Sequence, residues 1–151
     1  MTTDCSHGLN VWQLTRQVHR ELNHILSREL EQATGLGLRQ YEVLFYLHNA
    51  DNESLRLADL GESLLLKPPA ATRFFDRMEQ SGLIRRERGP DDRRVVRIGP
   101  TTEGTRRFEA AQTVYNTEVN RRFSHNLTAA ERRVLNTALD KVLGALRERD
   151  S

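Results

Sequence analysis

Apolar residues recur at three- and four-residue steps through the first part of the chain. Val11, Leu14, Val18, Leu22 and Ile25 form one stripe, and Leu26, Leu30 and Ala33 form a neighbouring one. That spacing predicts a long helix over roughly 11–34, ended by Gly35 and Gly37. A second helix over 39–49 carries Tyr41, Leu44, Phe45 and Leu47, and the polar run 51–54 reads as a turn. A short third helix covers 57–64. Gly61 sits inside it, at a helix-interior cost of about 1 kcal/mol against Ala, where a small residue lets another helix approach. Pro68 and Pro69 open a fourth helix, since the first-turn N–H groups have no intrahelical acceptor to lose. Its inner face is Ala71, Phe74, Phe75 and Met78. Its outer face is Thr72, Arg73, Asp76, Arg77 and Gln80, and Gly82 stops it.

The period then changes. Residues 83–88 and 95–98 read as two strands joined by the loop Gly89-Pro90-Asp91-Asp92-Arg93-Arg94. Helical spacing returns after Thr101 with Phe108, Ala111, Tyr115, Val119 and Phe123. Thr128-Ala-Ala-Glu131 is a capping box that starts a last helix carrying Leu135, Ala138, Leu139, Val142 and Leu146. A short helix, a turn, a second helix and a two-stranded basic loop, in that order, form the layout of a winged helix-turn-helix. The fold class expected is mainly α, with N- and C-terminal dimerisation helices and a two-stranded β-wing.

Composition narrows this further. A chain of 151 residues is one domain, 1–151, able to bury a core. Its apolar share is modest, at a mean hydropathy of −0.65, so the terminal stripes call for cover from a second copy. No run of about 18 apolar residues suggests a membrane span, and Met1 to His7 has neither the basic flank nor the apolar core of a signal peptide. The one cysteine, Cys5, cannot form an internal disulfide, which fits a reducing, cytoplasmic setting. From Lys67 to Arg107 eleven Lys/Arg stand against six Asp/Glu, a local excess of five positive charges in a chain of net +2. The remainder is therefore net negative, and the basic block is the footprint of phosphate binding. Arg supplies 21 of the 23 basic residues, and its planar fork suits phosphate and base edges.

The stretches LGLRQYEVLFYL (36–47), ADLGESLLLKPPAATRFFDRMEQSGLIRRERGPDDRRVVRI (58–98) and TTEG (101–104) together closely resemble the MarR family of bacterial transcription regulators. The resemblance implies a homodimer whose terminal helices, 9–34 and 101–149, interlock. The winged-helix lobes, 36–100, would then meet two half-sites of a pseudo-palindromic duplex about one turn, roughly 34 Å, apart. Lys67 stands where the family often has a small cap residue, Leu65 where it has Gly, and Pro68-Pro69-Ala70 where its helix start is rich in Ser and Thr. Few side-chain donors remain at that tip, which gives Thr72, Arg73 and DNA shape more weight.

The DNA-contacting set expected is Lys67, Pro69, Ala70, Thr72, Arg73, Arg77, Asp92, Arg93 and Arg94. Arg73 and Thr72 would meet phosphates or bases in the major groove, and Lys67 a phosphate. Arg77 divides between DNA and an ion pair with a neighbouring acid. Arg93 and Arg94 at the loop tip fit a narrow minor groove, with Asp92 orienting the guanidinium in a bidentate pair. Arg85, Arg86, Arg88 and Arg97 read as general hairpin electrostatics. For a small-molecule pocket the candidates are Trp12, Arg16, His19 and Arg20 on the first helix with Tyr41, Phe45 and Tyr46, an aromatic wall with cations for an aromatic carboxylate. Dimer packing and surface charge account for them equally well.

Cys5 reads as an incidental thiol in a tail before the first helix. His19 and His24, five apart, miss ligand spacing, so no metal and no cofactor is expected. No phosphate loop, nucleophile elbow or paired-carboxylate motif is present, so an enzyme is not expected. The reading is a cytoplasmic homodimeric repressor that binds a specific double-stranded DNA operator and is released by a small aromatic or phenolic ligand. A protein–protein adaptor without specific DNA reading, and a repressor answering thiol oxidation, stay open as alternatives.

Overall fold

The computed structural model describes residues 3–89, 92 and 94–149, with only the backbone at 3–7 and 149. The elements are α1 (Thr3–Thr34), α2 (Leu38–His48), β1 (Leu55–Arg56), α3 (Leu57–Ser63), α4 (Pro68–Gln80), β2 (Ile84–Arg88), β3 (Val96–Pro100), α5 (Thr102–Arg122) and α6 (Ala129–Arg149). Contacts divide the chain into two compact units, Met1–Tyr115 and Asn116–Ser151.

In the first unit the core gathers Leu26 and Leu30 of α1, Val43, Leu44 and Leu47 of α2, Leu60 of α3, and Phe75 and Met78 of α4. Leu83, Ile84, Ile98 and Phe108 complete it. Burying each such side chain stabilises the fold by about 1.5–3 kcal/mol. Of the two α1 stripes, the one through Leu26 and Leu30 is closed over, while Val11, Leu14 and Val18 stay open to solvent. The helix starts at Thr3, so Cys5 lies inside α1 and not in a tail before it; the apolar spacing begins only at Val11, which hid this earlier stretch.

The sheet has three strands, not two. β3 lies between β1 and β2, antiparallel to both, with Leu55 opposite Ile98 and Arg86 opposite Ile98 on the other side. Two-residue β1 has no alternation to detect. It is fastened by Arg97, whose guanidinium donates to the Ser54 hydroxyl at 2.9 Å and to the Ser54 carbonyl at 2.6 Å.

Two glycines set helix packing. A Cβ on Gly61 would lie 3.1 Å from that of Ala71, so α3 and α4 touch there, as the sequence led one to expect. A Cβ on Gly104 would lie 1.9 Å from the Leu83 carbonyl oxygen. That oxygen also accepts the Thr101 N–H at 3.1 Å, so the start of α5 is pressed onto the chain entering β2. Thr101 caps α5 by accepting the Gly104 N–H at 2.9 Å.

In the second unit, α6 opens on the expected capping box. Thr128 N–H donates to the Glu131 carboxylate at 2.7 Å, and Glu131 N–H to the Thr128 hydroxyl at 3.3 Å. Within that unit Arg121 and Arg122 both hold Glu118 at 2.8 Å. Val134, Leu139, Val142, Leu143 and Leu146 leave α6 with an open apolar stripe.

Candidate nucleic-acid interface

The turn between α3 and α4 closes as a paired C-cap. Leu66 N–H donates to the Gly61 carbonyl and Leu65 N–H to the Glu62 carbonyl, both at 2.8 Å. This pattern demands a left-handed residue, usually Gly, and here Leu65 takes it at φ +53. Its side chain is 91% exposed. Arg39 of α2 donates to the Leu64 carbonyl at 3.1 Å and pins the turn from behind.

The start of α4 is short of donors. Pro68 and Pro69 fill its first two positions and have no N–H. Lys67, in extended backbone, offers its carbonyl to both the Ala70 and the Ala71 N–H at 2.9 Å. The Thr72 hydroxyl donates back to the Pro68 carbonyl at 3.0 Å. No N–H is left over, so this helix start lacks the free donors that anions ordinarily use.

Beyond the first turn the outer face turns cationic. Thr72, Arg73 and Arg77 are exposed, and Ala71, Phe75 and Met78 face the core. Neither Asp76 nor Glu79 answers Arg77. Arg86, reaching across from β2, meets Asp76 at 2.6 Å and Glu79 at 3.5 Å. Among the described residues Lys67, Arg73, Arg77 and Arg94 have no ion pair.

The hairpin arginines differ from expectation. Arg85 pairs with Glu87 at 2.6 Å and donates to the Pro100 carbonyl, Arg86 ties β2 to α4, and Arg97 holds β1. These three are structural ties, not general electrostatics. At the loop tip Asp92 accepts the Arg94 backbone N–H at 2.8 Å. It therefore shapes the turn in place of gripping the Arg94 guanidinium as expected, because residues two apart in a tight turn bring N–H and carboxylate together first. Arg93 lies outside the described residues.

The seven pocket candidates fall in two places within the first unit. Arg16, His19 and Arg20 line a polar depression on α1 itself, with Trp12 exposed nearby on the same helix. Tyr41, Phe45 and Tyr46 line a cavity of about 230 Å³ with Glu42 and Tyr115. Tyr41 stacks on Tyr115 at 4.6 Å and on Phe108 at 5.6 Å. Burial pushes the Tyr41 phenol up to about 12, helped by the neighbouring Tyr115, and burial also raises Tyr115 and Glu42. Glu42 and Tyr115 were not singled out from sequence, although Tyr115 sat on an expected apolar face. His19 Nε2 lies 3.1 Å from the Asn23 amide. Among the described residues no three His, Cys, Asp or Glu gather as metal ligands.

This geometry has close relatives. Residues 36–96 match the MarR family. The uncharacterized HTH-type transcriptional regulator YhbI of Bacillus subtilis (strain 168) is 33% identical over 105 residues, 70% of this chain and 66% of that one. A MepR like protein, crystallised with pseudoligands, is 32% identical with a TM-score of 0.59, covering 94% of both chains. The chain belongs to the MarR family. MarR proteins are transcription regulators, and their winged-helix fold is the one described above. A mutant of MarR from E. coli, crystallised in complex with operator DNA, is 27% identical with a TM-score of 0.70, covering 89% of this chain and 96% of that one.

Proposed function

We infer that this MarR-family regulator binds a specific duplex DNA site through α4 and the β2–β3 wing, and represses transcription by covering that site. The observation that carries the reading is the sorting of charge. Arg86 engages both acids of α4, Asp76 and Glu79, while among the described residues Lys67, Arg73, Arg77 and Arg94 are exposed and have no ion pair. Unpaired cations on an exposed helix face and a wing tip are what phosphates take up. The operator complex of its E. coli relative supports the same use of the fold. Pro69, Ala70, Asp92 and Arg93 join these cations and Thr72 in the proposed interface.

The regulator acts as a homodimer. Leu14 and Val18 of α1 and, within the other unit, Val142 and Leu146 of α6 expose apolar stripes that a second copy would cover. Large open apolar patches mark such interfaces. A small aromatic or phenolic ligand releases the DNA, with the cavity of Tyr41, Phe45, Tyr46 and Tyr115 as the place to seek it. Such a ligand works only as far as it prefers the non-binding state. No helix among the described residues is long and apolar enough to cross a membrane, and the regulator works beside the DNA, in the cytoplasm.

The test is titration of the full chain onto DNA from upstream of its own gene and onto a scrambled control, across a salt series. Tight binding to one site, with log affinity falling steeply against log salt, is expected. Weak binding that is equal on both DNAs and flat in salt would overturn the reading.

A further inference from the structure

The interface proposed above contains a tip whose chemistry is apolar, and its neighbours decide what it can recognise. Pro68 and Pro69 have no N–H, the Ala70 and Ala71 N–H groups are taken by Lys67, and the Thr72 hydroxyl is taken by Pro68. The tip therefore presents carbon: the proline rings, the Ala70 methyl, and the γ-methyl of exposed Thr72. Leu65, Pro68 and Thr72 border one groove between α3 and α4. Leu65 adds a fully solvated isobutyl group, held outward by a left-handed backbone that disfavours any side chain larger than that of Gly. Beyond the Lys67 ammonium at its edge, the tip offers no donor for the acceptor edges of guanine or the mixed edge of adenine. In the major groove one base feature is apolar, the C5-methyl of thymine.

We propose that the α4 tip specifies thymine in each half-site by apolar contact, with Thr72 and Pro69 on the C5-methyl groups and Leu65 covering their outer edge. Arg73, next to Thr72 and one turn beyond Pro69, holds the neighbouring phosphate or guanine. This rests on the reading of α4 as the DNA-entering helix. It makes the specificity of this chain a matter of methyl burial at the tip and charge further along.

The experiment starts by selecting a binding site from random duplexes with the full-length protein. Each thymine of the selected site is then replaced by deoxyuridine, which removes one methyl and keeps every hydrogen-bonding edge. Affinity should fall about fourfold at one or two positions per half-site, the worth of one buried methyl or methylene group, and stay level elsewhere. Thr72→Ser keeps the hydroxyl that bonds Pro68 and removes only the methyl. Wild type should discriminate thymine from uracil at its position, and T72S should not. Melting curves confirm that T72S folds as wild type, and Pro69→Ala gives a second, independent cycle. Selection of a specific site with no sensitivity to uracil overturns the proposal while leaving the regulator reading intact. So does sensitivity that persists unchanged in both variants, because the methyl is then read elsewhere. Failure to select any site brings down the regulator reading itself, and this proposal with it.

Discussion

Replacing Leu65 with Gly should stabilise the protein, although it removes a leucine. The position has φ +53, where an L-residue with a Cβ carries a penalty of about 1–2 kcal/mol. Gly relieves that penalty but gives the unfolded chain more freedom, worth about 0.5–1 kcal/mol in the other direction. Burial barely enters, because the side chain is 91% exposed. The net expectation is a gain of about 0.5–1 kcal/mol, or a rise of about 2 °C in Tm for a chain of this length. Leu65→Ala isolates the backbone contribution. It keeps the strain and removes the isobutyl group, so it should sit within about 0.5 kcal/mol of wild type, with Gly above it. The assay is urea unfolding followed by circular dichroism, with all three proteins at one concentration so that any assembly contributes equally. A Leu65→Gly variant less stable than Leu65→Ala would refute the reasoning. It would mean that the turn does not hold a left-handed residue in solution. Ala and Gly equally far below wild type would show instead that something covers the leucine.

Four further outcomes follow from particular contacts. Gly104→Ala should cost about 3 kcal/mol or more, since its Cβ would sit 1.9 Å from the Leu83 carbonyl oxygen; a melt unchanged from wild type would mean that α5 does not rest there. Arg94→Ala should weaken DNA binding and lower the salt slope by about 0.9, one phosphate contact, and an unchanged slope in a folded protein would remove the wing from the interface. Arg86→Met should weaken DNA binding without touching DNA, by releasing Asp76 and Glu79 toward Arg73 and Arg77; adding Asp76→Asn and Glu79→Gln should restore it, and no recovery would refute the indirect route. Burial raises Glu42 above its ordinary value, so at a pH between the unfolded and folded pKa the folded form retains a proton that the unfolded chain gives up. Its effect is therefore to lower stability as pH rises from the unfolded carboxylate pKa through the raised folded one. Glu42→Gln should flatten that fall, and identical pH profiles for the two proteins would argue against a half-buried carboxyl.

What the sequence made legible was periodicity, and what it hid was partnership. Helices of three turns or more show in the three- and four-residue steps, and the capping box at Thr128 and the close approach at Gly61 were readable because one residue type has one physical use there. Strand β1 was invisible because two residues have no period. The start of α1 at Thr3 was invisible because its first two turns lack the apolar steps that begin at Val11. Leu65 was visible as a departure from a family pattern, but its consequence depends on a φ value that composition does not contain.

The arginines show the same division most sharply. Eleven basic residues between Lys67 and Arg107 look alike as a charge block, yet an arginine contributes to a phosphate-binding field only if no nearby acid has already claimed it. Register decides this. Antiparallel pairing sets Arg86 opposite Ile98, on a strand packed along α4, where it reaches Asp76 and Glu79. That single crossing takes the two acids on the outer surface of α4 away from Arg73 and Arg77, which leaves those two guanidiniums to solvent. Local spacing along α4 favours the opposite outcome for Arg73, because Asp76 stands three residues after it on the same helix face. The basic face is thus made by a tertiary ion pair that silences acids, and it should disappear when β2 is displaced even if α4 itself stays helical.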